Sequence, residues 1–169
     1  MSFSYWSTYG YGIKVDDIPI KDITVEKLIN LCSQNDFCFK NFKTDVVNFI
    51  NTEKSGDYSY EEAIEKLEES DIANFLNSVE GDGCELGIGN YIRDVIYGNE
   101  KIWMDLASNF DGEVYLLLIP SFPWQHKSLA AKEKALTKPE MLNDILEKYI
   151  KILTDAKIRI DYEDVVNGG

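Results

Sequence analysis

One histidine, His126, is all the imidazole this 169-residue chain contains, so a His-dependent triad or a zinc site would have to be built around it. Neither a GxSxG elbow nor an HExxH helix accompanies it, and the preceding residues 120–125, PSFPWQ, read as a surface segment stiffened by two prolines. Cysteines number three, Cys32, Cys38 and Cys84, an odd count without CxxC spacing. This argues against a disulfide framework or a zinc site and predicts packed, reduced thiols of a cytoplasmic protein. Acidic surroundings raise a thiol pKa, which weakens the case for a cysteine nucleophile. Cationic residues are also scarce: 17 Lys and Arg stand against 30 Asp and Glu, for a net charge of −13. A field of that sign repels nucleic acid, phosphorylated ligands and anionic membranes and speeds encounters with basic proteins. No apolar run approaches the roughly 20 residues that cross a bilayer, and the opening MSFSYWSTYGYGIKV lacks a basic region followed by an apolar one. The expectation is a chain with no membrane span, no cofactor and no direct nucleic-acid partner.

Aromatic residues are plentiful. Ten Tyr, eight Phe and three Trp within a 44% hydrophobic composition mark a folded chain, and a domain of this length buries roughly 68 to 70% of its unfolded surface. With no long linker or internal repeat, residues 1–169 read as a single domain. Phe3, Tyr5, Tyr9, Tyr11 and Ile13 share one parity and predict a first strand with that side buried, while Gly10 and Gly12 on the other side permit a bulge or a close backbone approach. Thr24 and Thr44 each precede a helical apolar pattern and are expected to cap a helix. Ser59 with Glu62 is a capping-box pair, Ser70 a restart, and Tyr91, Ile92, Val95 and Ile96 predict a helix ended by Gly98. A hairpin follows around Asn109–Gly112, then an amphipathic helix opened by Thr137 and Glu140, then a closing strand over residues 157–162.

The order predicts an α+β fold: a four-stranded, largely antiparallel sheet in the ferredoxin-like βαββαβ order, with an enlarged helical layer on one face. That layer carries the acid. Residues 53–85 hold eleven Asp and Glu against only Lys54 and Lys66, nine of the thirteen net negative charges in a fifth of the chain. Glu61, Glu65, Glu68 and Glu69 recur at helical spacings of three and four, the pattern of a solvated face or of a row standing in for phosphates. One helix face supplies too few oxygens to enclose a hard cation. Asp82, Gly83 and Glu85 make only a fragment of a calcium loop, and Gly87 with Gly89 lacks the third glycine and preceding strand of a dinucleotide site.

Three segments, SYWSTYGYGI at 4–13, YLLLIPSFPWQ at 115–125 and RIDYEDVVNGG at 159–169, together resemble a group of small acidic proteins of Firmicutes phages and mobile elements. In size and charge the chain is similar to anti-CRISPR proteins. The resemblance implies a phage setting and the cytoplasm of a bacterial host, and carries over no catalytic residue. The function expected is that of an acidic binding protein, rather than an enzyme, that inhibits a host defence effector such as a CRISPR nuclease by occupying its basic nucleic-acid-binding groove. Glu61, Glu62, Glu65, Glu68, Glu69 and Asp71 would replace phosphates, with Tyr60 and Trp124 as apolar anchors. Two alternatives are a metal-dependent enzyme or factor using clustered carboxylates with His126, and a homodimer formed through the apolar hairpin.

Overall fold

The computed structural model describes residues 5–81, 84–85, 87–119 and 139–168. In chain order the elements are β1 (Tyr5–Lys14), α1 (Val25–Cys32), α2 (Asp36–Glu53), α3 (Tyr60–Lys66), α4 (Ile72–Ser78), the two-residue strands β2 (Glu80–Gly81) and β3 (Cys84–Glu85), α5 (Ile88–Glu100), β4 (Asp105–Ser108), β5 (Val114–Leu118), α6 (Pro139–Leu153) and β6 (Asp161–Gly168). The fold is α+β. Its main sheet runs β4-β5-β1-β6 with every neighbouring pair antiparallel, and β2 and β3 pair separately.

Helix ends follow local chemistry. The Thr24 hydroxyl accepts the Lys27 N–H (3.1 Å) and starts α1, as expected. Thr44 caps nothing: α2 begins eight residues earlier, where Asn35 Oδ1 accepts the N–H groups of Phe37 and Cys38, both at 3.1 Å. Cys38 and Phe42 extend the buried stripe of Val46, Phe49 and Ile50 upstream, so Thr44 lies mid-helix and donates back to the Lys40 carbonyl (3.2 Å). The restart before α4 turns on Asp71, whose Oδ2 accepts the Glu68 N–H (3.0 Å), and not on Ser70. Helix α5 runs past Gly98 to a left-handed Lys101. Gly98 matters for another reason: a Cβ there would strike the side chain of Asn35, the cap of α2. Thr137, expected to open the last helix, lies outside the described residues.

In the sheet, Ile13, Leu116 and Leu118 join the core cluster beneath α5 and α6. Among the side chains described, the expected burial of the Phe3–Ile13 parity holds at Ile13 and fails at Tyr9; those of Phe3 and Tyr5 lie outside them. Ile13 is buried, Tyr11 is half-buried and donates to Asn143 Oδ1 of α6 (2.7 Å), and Tyr9 is 51% exposed, its ring stacked on Tyr162 at 5.5 Å. Residues 5–12 of β1 pair with β6 and residues 11–14 with β5, so Tyr11 and Gly12 are flanked on both sides. The closing strand starts later than expected, at Asp161, and Ile158 and Ile160 pack against the core before it.

Close approach explains the two strand glycines. A Cβ at Gly12 would collide with the Leu116 carbonyl, and one at Gly10 would lie 2.8 Å from that of Leu118. Backbone cannot give way as a flexible side chain can. Gly12→Ala is therefore expected to lower stability by about 2–3 kcal/mol in urea unfolding, with the β1–β5 amides losing hydrogen-exchange protection first.

Candidate functional site

Two surfaces flank α2. On one side, Ser59 Oγ accepts the Glu62 N–H (3.4 Å) and opens α3, which buries Ala63 and turns Glu61, Glu62 and Glu65 to solvent. The approach to α3 is held by Asn51, whose Oδ1 accepts the Tyr58 N–H (2.7 Å) while its Nδ2 donates to the Tyr58 carbonyl (3.3 Å). Glu68 is exposed just beyond the buried Leu67. Glu69 and Asp71 are partly committed to the fold: Glu69 Oε1 accepts the Val25 N–H at the start of α1 (3.3 Å), and Asp71 holds the turn at Glu68. Among the described residues no ion pair engages these six acids. Lys66 instead lies over the Tyr58 ring, 4.7 Å from its centroid. Tyr60 is half-buried, edge-on to Phe39 at 6.2 Å and under the Lys43 ammonium, and burial raises its hydroxyl pKa. Trp124 and His126 lie outside the described residues.

On its other side α2 forms the floor of a polar groove that the sequence did not announce. One part of it, about 250 Å³, is lined by Asn41, Thr44 and Asp45 of α2, Val79, and Asn90, Tyr91, Arg93 and Asp94 of α5. Asp45 also lines an adjoining hollow of about 530 Å³ between α2 and α4, which reaches Asn48, Glu53, Asn74 and Ser78. The Tyr91 hydroxyl donates to Asp45 Oδ2 (2.6 Å), and Arg93 Nε donates to Asp94 Oδ1 (3.4 Å) with its guanidinium over the Trp103 ring. Asn90 differs from these neighbours. It is only 5% exposed, and neither its Oδ1 nor its Nδ2 has a hydrogen-bond partner.

Burial raises the carboxyls of Asp45 and Asp94 above the usual Asp range. Repulsion from Asp94 adds to this at Asp45, whereas the Tyr91 hydroxyl opposes it; Arg93 opposes it at Asp94. Cys32 and Cys38 lie fully buried behind Tyr91, and burial pushes the Cys32 thiol far up, so these two are inert packing groups. Among the described residues, no three of His, Cys, Asp and Glu converge as metal ligands. The hairpin's Val114, Leu116, Leu117 and Leu118 are buried within the chain, which leaves those side chains no exposed face for a second copy.

No protein-family model, curated protein or solved structure matches the chain. The geometry stands alone, and two measurements check it. Leucine is nearly isosteric with Asn90 and carries no unpaired polar atom, so Asn90→Leu is expected to raise stability in urea by about 1–3 kcal/mol. The native state also holds the Asp45 and Asp94 protons more tightly than the unfolded chain does. Stability should therefore rise as pH falls from neutrality through their native pKa values, with the gain complete below the usual Asp range. Replacing both with Asn should flatten that rise in thermal melts between about pH 7 and about pH 4.

Proposed function

We propose that the chain is an acidic, non-catalytic binding protein that occupies the basic groove of a nucleic-acid-binding protein. Its setting is that of a phage-encoded inhibitor of a host defence effector, a CRISPR nuclease being the first partner to test. One observation carries the reading: Glu61, Glu62, Glu65 and Glu68 are all exposed along α3 and the turn after it, and none is paired with Lys or Arg among the described residues. An unneutralised row costs the helix a few tenths of a kcal/mol for each like-charged pair. A cationic partner would recover that cost and add charge-assisted hydrogen bonds.

Glu69 and Asp71 belong to the same surface but contribute less, because part of their hydrogen-bonding capacity serves Val25 and Glu68. Tyr60 would act through its half-buried ring, and Trp124 is kept as a second anchor. The finer reading of the sheet as a split βαββαβ unit of the ferredoxin-like kind is supported by the insertion of β5 between β1 and β4 and by β6 on the far side of β1.

The test is affinity for a CRISPR nuclease measured across salt concentration. Binding should weaken steeply as salt rises, and the triple change Glu61→Lys, Glu65→Lys, Glu68→Lys should reduce it by about tenfold or more at 0.1 M salt. Undiminished binding by that variant would remove the mechanism.

A further inference from the structure

We propose that the hollow between α2 and α5 is a binding site for a small organic cation, a primary ammonium carried beside an amide group. The inference is independent of the acidic face on α3.

Asn90 specifies half of this ligand. Its amide is buried with both a donor and an acceptor unused, and it lines the hollow. A metal ion or simple ammonium could satisfy Oδ1 but would leave Nδ2 without an acceptor. A second amide answers both through a reciprocal pair of hydrogen bonds. Asn41 in the same lining, and Asn48 and Asn74 in the adjoining hollow, supply further groups of the same kind.

The carboxylates specify the other half. Asp45 and Asp94 flank the hollow, and Arg93, the only cation of the lining among the described residues, is already held by Asp94 and the Trp103 ring. The lining is thus one positive charge short of neutrality, and an ammonium donating to Asp45 supplies it. A volume of about 250 Å³ lies just below the roughly 300–1,000 Å³ of sites for drug-sized ligands, so the occupant is small or enters only by one end.

Glycinamide carries both groups, methylammonium only the charge and acetamide only the amide. In titrations of the full chain followed by NMR, glycinamide is expected to shift the Asn90 side-chain amide signal saturably, and to bind at least about tenfold more tightly than either fragment. Asn90→Leu and Asp45→Asn should each weaken glycinamide by about tenfold or more, in proteins whose backbone spectra remain folded. Glu61→Lys with Glu65→Lys should leave it unchanged. A free amino-acid amide offers donor and acceptor on one edge of its primary amide; near the amino terminus of a peptide, where each trans amide puts them on opposite edges, the N–H and C=O of the second residue would offer the same pair. Triglycine amide binding more tightly than glycinamide would assign the peptide, equal binding the free amide. No saturable shift with any probe, equal binding of methylammonium, or undiminished binding in both the Asn90 and the Asp45 variants would overturn the proposal.

Discussion

Edge-to-face packing around Phe42 ties α2 to α4 and α5, the helices that line the polar groove. The buried ring of Phe42 meets Phe75 of α4 at 6.0 Å and Tyr91 of α5 at 5.7 Å, and Phe49, two turns along, meets Phe75 again at 5.6 Å. Aromatic pairs in this geometry add roughly 0.5–1.5 kcal/mol each beyond the area they bury. They also fix direction, because an edge meeting a face tolerates little rotation. With the Phe39–Tyr60 pair joining α3 to it as well, helix α2 becomes the spine from which α3 is presented on one side and the polar groove is enclosed on the other.

The two surfaces treat negative charge differently. On α3 the carboxylates stand in water, where repulsion between them is weak and screened by salt. In the groove, Asp45 and Asp94 sit where burial makes each charge harder to hold, with a tyrosine hydroxyl and an arginine as partial compensation. The first arrangement suits attraction over distance toward a broad cationic surface. The second suits a single contact with a small group that can enter the hollow.

Much of the framework was legible in the sequence, because its signals are local. Thr24 and Ser59 cap the helices they precede, and the Asn109 turn closes the hairpin, with Asn109 Oδ1 accepting the N–H groups of Asp111 and Glu113 at 3.0 Å each. Asn35 was obscured by its polar neighbours Ser33, Gln34 and Asp36, any of which could have ended or begun a helix. Strand β6 was misplaced because its first residues are acidic, and only pairing along β1 makes a strand of them. Glu61 and Glu65 were readable as an exposed face because helical spacing puts them there, whereas α3 ends at Lys66, so Glu68 is exposed in the turn after it and Glu69 is not part of the helical row. The groove was not readable. Asn41, Thr44, Asp45, Asn48 and Thr52 form a stripe that reads as an ordinary wet side of α2, and Asn90 and Asp94 meet it only across the fold.

The bidentate clasp of Asn51 on Tyr58 bears on how the α3 carboxylates would be met. A side-chain amide pairing with both backbone polar groups of one residue behaves like a short stretch of sheet, locking the loop between two helices at its far end. The spacing between Glu61 and Glu65 is then set at folding and need not be selected at encounter, so an incoming chain faces a ruler and not a brush. Recognition of that kind rewards a partner whose cations repeat at a matching interval and gives little to one that merely carries many of them.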